Sequence, residues 1–263
     1  MDLGLKEKVA IITGASEGIG KAAAASMAQE GARVVICARR KDVLDKAAEE
    51  IRRETGGTVL AVQADVADPS DIERVVNSTV EAFGRLDILV NNAGTSAAGP
   101  FESLDDEGWQ ADMNLKFYGA VRFARGAIPH MKRVGGGRII NVTNLGGKQP
   151  GANSMPTSVT RAAGIALTKA MSKDLAQHNI LVNTVCIGLI KSGQHERRYN
   201  STKAQNPDLS LEQWYAERSQ NSPLGRVGEA SEAGDVICFL ASERASYLTG
   251  TSINIDGGTS GVL

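Results

Sequence analysis

The chain has few of the residues that build covalent or metal frameworks. Its 263 residues include only three cysteines and three histidines. Cys37, Cys186 and Cys238 lie far apart, each within an apolar run, and no Cys-x2-Cys pair is present. The histidines show no spacing typical of metal ligands. These absences argue against a disulfide framework and a structural metal, and they predict buried free thiols in a reducing compartment, with the cytoplasm as the expected location.

The chain also lacks an excess of charge and any long apolar stretch. Its 29 Lys and Arg residues oppose 30 Asp and Glu residues, for a formal net charge of −1. This balance leaves no basic footprint for nucleic acid or an anionic membrane. No apolar run approaches the roughly 20 residues of a membrane span, and the N-terminus has no signal-peptide pattern. We therefore expect neither nucleic acid nor a membrane as a partner.

A glycine-rich turn follows the first apolar run. Residues 9–12, Val-Ala-Ile-Ile, predict a buried strand, and the alanine-rich stretch 21–28 predicts a helix. Between them lies a Gly-x3-Gly-x-Gly turn, in which a diphosphate can approach the backbone and meet the helix dipole. A tight turn without a ligand is the alternative, which the βα units that follow disfavour. The residues expected to contact a dinucleotide here are Gly14, Ser16, Glu17, Gly18, Ile19 and Gly20.

Strand and helix patterns alternate along the whole chain. This alternation predicts a parallel sheet with helices on both faces. With 42% hydrophobic residues, the chain can bury one complete core. The expected fold class is α/β, a single doubly wound (Rossmann) domain over residues 1–263. We expect strands at 9–12, 33–38, 58–63, 87–90, 137–143, 180–186 and 252–255, and helices at 21–28, 41–55, 69–83, 106–132, 156–177 and 229–240.

The motifs resemble the short-chain dehydrogenase/reductase family over essentially the whole chain. The Thr-Gly-x3-Gly-x-Gly signature is unbroken, residues 91–94 match the family's Asn-Asn-Ala-Gly, and residues 254–258 match its C-terminal strand and turn. The resemblance implies hydride transfer between a nicotinamide cofactor and a carbonyl or alcohol. Residues 187–190, Ile-Gly-Leu-Ile, stand where relatives usually read Pro-Gly, but Ile190 can still offer its backbone to the nicotinamide. Further implied cofactor contacts are Asp65, Val66, Asn92, Ala93, Gly94 and Arg161.

The end of the second strand distinguishes the two nicotinamide cofactors. An acid there accepts the ribose hydroxyls of NAD, whereas arginine favours the 2′-phosphate of NADP. This chain has Arg39 and Arg40 and no acid, although a solvated charge pair is the alternative interpretation. Glu17 is an opposing signal, because its carboxylate would face the same phosphate. We predict NADP, with NAD less favoured.

The resemblance also locates the family's catalytic positions. The family uses a serine, a tyrosine about thirteen residues later and a lysine four residues after that, one helical turn on. The matching positions here hold Asn144, Thr157 and Arg161. Asn114 matches a helix asparagine that supports a proton-relay water in the family. All four are candidate catalytic residues.

The three substitutions differ in their expected consequences. Asn144 can still donate a hydrogen bond, and Arg161 can hold ribose hydroxyls. Thr157 is the serious loss, because an aliphatic hydroxyl cannot replace a phenol as acid or base. A replacement donor would have to come from elsewhere, and the candidates are Tyr199, Tyr215, His195, Lys191, Lys148 and Tyr118.

Three functions remain open. The first is an NADP-dependent oxidoreductase with an atypical site that acts on a small carbonyl or alcohol. The second is a non-catalytic nucleotide-binding subunit that supports an active family member in a mixed oligomer. The third is a non-redox enzyme on the same fold, since fold alone does not fix chemistry. The irregular stretch 188–226 predicts a substrate lid. Family members commonly pair through helices matching 106–132 and 156–177, which implies a homodimer or homotetramer.

Overall fold

The core of the protein is one parallel sheet. The computed structural model describes residues 1–220 and 222–263. The strands are β1 (Val9–Thr13), β2 (Arg33–Ala38), β3 (Val59–Gln63), β4 (Ile88–Asn91), β5 (Gly137–Asn144), β6 (Ile180–Ile187) and β7 (Ser252–Ile255). Their spatial order is β3-β2-β1-β4-β5-β6-β7, with all neighbours parallel. The order reverses between β1 and β4, where open sheets bind ligands. The predicted doubly wound fold is confirmed.

Helices cover both faces of this sheet. They are α1 (Gly18–Gln29), α2 (Lys41–Thr55), α3 (Pro69–Phe83), α4 (Asp106–Met113), α5 (Gly119–Arg133), α6 (Thr157–Leu175), α7 (Gly193–Lys203), α8 (Leu211–Ser219) and α9 (Ala230–Ala241). As predicted, the Asp68 side chain caps α3 by accepting from the Ser70 N–H at 2.8 Å, and Gly84 ends it at φ +73°. No helix in the described residues is long and apolar enough to cross a membrane.

The strand residues alternate between two buried cores. In β1, Ala10 and Ile12 face the core beneath α1, α2 and α9, whereas Ile11 faces the core beneath α3 and α5. All five β1 residues are buried. Burial on both faces explains why the strands have continuous apolar runs without polar alternation. The sheet therefore provides a rigid platform for the loops at its carboxyl edge.

The three cysteines are buried and free, as predicted. Burial raises the pKa of the Cys37 and Cys238 thiols to about 12, so both stay protonated at neutral pH. Within residues 1–220 and 222–263, no group of three His, Cys, Asp or Glu side chains is placed to hold a metal ion.

The helix predicted over 106–132 contains a turn of different pitch. Residues Asn114–Tyr118 form a π-helical turn between α4 and α5, in which the Gly119 N–H bonds back to the Asn114 carbonyl. Turns of this kind are rare in proteins, but many of those that occur lie at functional sites. Lys116 lies within the turn and is buried.

The stretch predicted to be irregular, 188–226, contains α7 and α8, so that part of the prediction was wrong. The helices pack on a small core of their own, formed by Tyr199, Leu209, Trp214, Tyr215 and Val227. Because α7 buries only Tyr199, its sequence shows little apolar periodicity. The available signals were the caps: Ser192 begins α7, and Ser210 with Gln213 forms a capping box on α8.

Candidate active site

Loops at the carboxyl edge of the sheet surround a cleft of about 630 Å³. Most of the predicted site residues line it: Gly14, Ser16, Glu17, Gly18, Ile19, Arg39, Arg40, Asp65, Val66, Asn92, Ala93, Gly94, Asn144, Thr157, Arg161 and Ile190. Gly20 and Asn114 are not among the lining residues. The fold thus brings together side chains that the sequence separates by up to 176 residues, from Gly14 to Ile190.

The glycines of the first turn are required for different reasons, either backbone conformation or close packing. Gly14 and Gly18 have left-handed backbones, with φ of +63° and +57°, which favour glycine. A Cβ on Gly14 would lie 2.8 Å from the Ala93 Cα, so the loop packs directly on the segment after β4. A Cβ on Gly20 would collide with the Asn92 amide, which bonds the Thr13 and Gly14 carbonyls. Gly20 therefore serves loop packing, and its contact with a dinucleotide stays a prediction.

Glu17 is neutralised by two arginines. Its Oε2 accepts from the Arg40 Nη2 at 2.8 Å and from the Arg197 Nη1 at 3.1 Å. The contact joins the glycine loop to α7, 180 residues along the chain. Arg39 lines the same end of the cleft and is exposed, and its guanidinium pairs with no acid among the described residues. This end is cationic and fits a phosphorylated cofactor, despite the opposing signal of Glu17.

The three positions that the family resemblance gives as catalytic all line the cleft. Asn144 ends β5, and its amide Oδ1 is buried without a partner among the described residues. Thr157 begins α6, and its Oγ1 accepts from the Ala97 N–H at 3.1 Å and from the Lys116 Nζ at 3.0 Å. Both lone pairs of the Thr157 hydroxyl are thus occupied.

Arg161 lines the cleft and is half-buried. Its Nη1 donates to the Val142 carbonyl at 2.7 Å. A Cβ on Gly94 would lie 2.5 Å from the Arg161 Nη2, so only glycine leaves room for the guanidinium there. Burial lowers the pKa of Arg161 to about 10, and nearby Asp112 opposes this shift. The side chain is therefore still a cation at neutral pH.

Lys116 and Asp112 are the site residues that the sequence reasoning missed. Their side chains are 1% and 2% exposed and form an ion pair one helical turn apart. The second Asp112 oxygen accepts from the Thr160 hydroxyl at 2.7 Å. Burial is the largest influence on Lys116 and lowers its pKa to about 8, although Asp112 counteracts it. The sequence signal was an acid and a lysine at i, i+4, which is more typical of a solvated helix face.

Most of the proposed replacement donors are engaged elsewhere. The Tyr199 hydroxyl donates to the Leu209 carbonyl at 2.9 Å, and the Lys148 ammonium bonds Ser252 and Asn254. Lys191 pairs with Glu229, Tyr118 is exposed, and Tyr215 lies in the core of the α7–α8 segment. Of the six, His195 is the one among the lining residues. Burial lowers its pKa, so it is neutral at pH 7.

Asn114 supports the π-helical turn. Its Nδ2 donates to the Ala67 carbonyl at 3.2 Å, and its Oδ1 accepts from the Arg122 Nη1 at 2.6 Å. The first bond holds the turn against the loop after β3, and the second joins it to α5. The water-relay role implied by the resemblance stays a prediction.

The sequence comparisons agree with the motifs. A family model described as enoyl-(acyl carrier protein) reductase matches residues 14–260. A 3-oxoacyl-(acyl-carrier-protein) reductase of Thermotoga maritima is 36% identical over 254 residues, which cover 97% of this chain and 98% of the relative. The chain belongs to the short-chain dehydrogenase/reductase family. The family is one of oxidoreductases.

Solved structures of this family superpose closely on the chain. The NADPH and L-sorbose complex of L-sorbose reductase from Gluconobacter frateurii has a TM-score of 0.96 and 36% identity, with 100% of both chains covered. An NADPH-bound short chain oxidoreductase of Pseudomonas aeruginosa PAO1, containing an atypical catalytic center, has a TM-score of 0.90 and 33% identity over 99% of both chains. Both neighbours hold NADPH, which supports the predicted choice of NADP.

Proposed function

We propose that this chain is an NADP(H)-dependent oxidoreductase that interconverts a small carbonyl and its alcohol, with Asn144, Thr157 and Arg161 at the positions of the family's triad. The observation that carries the proposal is the Thr157 hydroxyl, which stands at the tyrosine position and lines the cleft. Its oxygen already accepts two hydrogen bonds, so its proton is available for donation to a substrate. A bound NADPH would supply the hydride.

The residues of the cleft divide between cofactor and substrate. The glycine loop and the first turn of α1 would hold the diphosphate, and Arg39 would hold the 2′-phosphate. Asp65 and the segment 92–94 would border the adenosine. The first half of α7, which lines the opposite side through His195, would form the lid over the substrate.

Thr157 would orient the carbonyl oxygen. A hydroxyl has one proton and two lone pairs, and here both lone pairs accept from Ala97 and Lys116. The proton must therefore be donated, and no acceptor for it lies among the described residues. A carbonyl oxygen in the cleft would accept it. The side-chain amide nitrogen of Asn144, which also lines the cleft, would donate a second hydrogen bond to this oxygen.

Arg39→Ala is expected to separate the two cofactors. A charge-assisted hydrogen bond contributes about 1.5–3 kcal/mol, so NADPH affinity should fall roughly 10- to 100-fold. NADH affinity should stay unchanged, because NADH has no 2′-phosphate. Isothermal titration with each cofactor measures both values. Arg53→Ala is the matched control, since Arg53 is an exposed arginine on α2 outside the cleft. Equal losses for both cofactors would contradict the assignment.

The function itself is tested by cofactor titration followed by a substrate panel. We expect NADPH to bind and to reduce at least one member of a set containing ketoses, 3-oxoacyl thioesters and small ketones. Tight NADPH binding without turnover would favour the non-catalytic subunit. Binding of neither cofactor would overturn the assignment of the cleft.

A further inference from the structure

We propose that Lys116 is the proton source of this site and that it acts through Thr157. The proposal rests on the proposed reductase function and names a residue outside the family's three positions. A threonine alone cannot serve as an acid near neutral pH, so the site needs a second group that supplies the proton.

Lys116 is placed behind Thr157, away from the open cleft. Its Nζ lies 3.0 Å from the Thr157 Oγ1 and is ion-paired with Asp112 on the preceding turn. The Asp112 carboxylate is in turn fixed by the Thr160 hydroxyl on α6. The π-helical turn and α6 therefore hold the ammonium directly against the hydroxyl that faces the cleft.

The hydrogen bonds of this cluster have one direction. In its ammonium form Lys116 can only donate, so the Thr157 oxygen accepts from it, and the Thr157 proton is directed to the cleft. In this arrangement Thr157 gives its proton outward while it receives one from Lys116. The hydroxyl need not exist as a free alkoxide, so its high pKa is no obstacle. The pKa that governs proton donation is therefore that of the Lys116 ammonium.

The charges around Lys116 suit this role. The charged groups that face it are Asp112 from α4 and Arg161 from α6. Burial and the Arg161 cation lower the pKa of Lys116, Asp112 raises it, and the outcome is about 8. An acid whose pKa lies near the working pH is protonated in a large share of the molecules and can also release the proton readily.

The proton steps balance. In reduction, the carbonyl carbon takes the hydride that the nicotinamide supplies, and the carbonyl oxygen takes the Thr157 proton. The Lys116 proton passes to the Thr157 oxygen, which leaves a neutral amine beside the Asp112 carboxylate. A proton from solvent then restores the ammonium. Alcohol oxidation runs the same steps in reverse.

A small cavity adjoins Lys116. Its volume is about 20 Å³, and its lining includes Lys116, Asn91 and Arg161. The Asn91 Oδ1 and the Arg161 Nε lack partners among the described residues. This size and polarity suit a single water molecule, through which the amine can regain its proton.

The competing explanation is a buried ion pair that only holds the helices together. The decisive variant is Lys116→Gln combined with Asp112→Asn, because the glutamine amide can still donate to Thr157 but carries no transferable proton. We expect kcat for reduction to fall about 10²–10⁴-fold with NADPH affinity unchanged. His195→Gln is the control for the pH profile alone, because His195 is a titratable side chain that lines the cleft.

The pH profile separates the two explanations. Because Lys116 must be protonated to donate, kcat for reduction should be constant at low pH and should fall as the pH rises through about 8. The double variant should lose this decline, and His195→Gln should keep it. A double variant with the wild-type rate and profile, or a decline that disappears in His195→Gln, would overturn the proposal while the reductase function stands.

A second readout needs neither cofactor nor turnover. In ¹³C-lysine NMR of the protein alone, one lysine should titrate near pH 8, and its signal should vanish in Lys116→Gln. Thr157→Val should lower that pKa further, because the ammonium loses an acceptor. A Lys116 titration that Thr157→Val leaves unmoved would contradict the contact on which the relay depends. Failure of NADPH to bind would overturn the proposed function without affecting this measurement.

Discussion

Replacing Thr157 by valine is expected to lower kcat for carbonyl reduction by about 10²–10⁴-fold while NADPH affinity stays the same. Valine nearly matches threonine in shape, so the change removes the hydroxyl without opening the site. The substrate oxygen then loses its donor, and the Lys116 proton has no path to the cleft. Single-turnover rates at saturating NADPH measure the effect on chemistry directly.

The matched control for this prediction is Thr157→Ser, which keeps the hydroxyl and should retain most of the rate. Thr157→Val also leaves the Ala97 N–H and the Lys116 ammonium without an acceptor, which destabilises the fold by about 1–3 kcal/mol. Rates should therefore be compared where urea titration shows both variants folded. A folded Thr157→Val protein with the wild-type rate would contradict any role of the hydroxyl in the reaction.

The second large effect is expected in the free energy of unfolding. Asp112→Leu leaves the Lys116 ammonium buried without its counter-charge, and breaking a buried pair in this way costs about 3–5 kcal/mol. Replacing both partners, as Asp112→Leu with Lys116→Met, should be nearly neutral, because it removes the buried charges together. Urea unfolding of the wild type, both single variants and the double variant measures the coupling.

The pH dependence of this stability has a definite sign. The folded-state pKa of Lys116, about 8, lies below the value of about 10.4 for an unfolded lysine. Between these values the unfolded chain binds more protons, so this group makes unfolding less favourable as the pH rises through that window. In Asp112→Leu the folded pKa should fall further, and the window should begin at lower pH. The variant should therefore recover part of its lost stability in alkaline buffer, and no recovery would contradict the burial of the charge.

Much of the fold follows from local signals. The bounds of β2, α2 and β7 agree with prediction, and the Asp68 cap and Gly84 fix both ends of α3. These features depend on residues close in sequence, whose propensities act without the rest of the chain. The glycine loop was equally predictable, because strand, turn and helix are contiguous.

The missed parts of the site depend on contacts between distant segments. Asp112 and Lys116 form a pair that is usually solvated, and it is buried here because α6 covers it through Thr157 and Thr160. The π-helical turn around Lys116 has no propensity signal, so the direction of its side chain could not be predicted. Glu17 appeared to oppose a phosphate because its partner Arg197 comes from another element 180 residues away.

Because Lys116 lies beside Thr157, its presence decides how substitutions at the three family positions affect reductase activity. Rebuilding the family's residues as Asn144→Ser, Thr157→Tyr and Arg161→Lys would place a second ammonium near one that is already buried, and a phenol against the Lys116 Nζ. Like charges in a low-dielectric site oppose each other, so the lysine would lose the charge it needs to hold ribose and tune the phenol. We expect the triple variant to be inactive with Lys116 present and to gain reductase activity once Lys116→Met and Asp112→Leu are added. Assays of both backgrounds measure this epistasis. The same three substitutions would then abolish activity or create it according to a residue that none of them replaces.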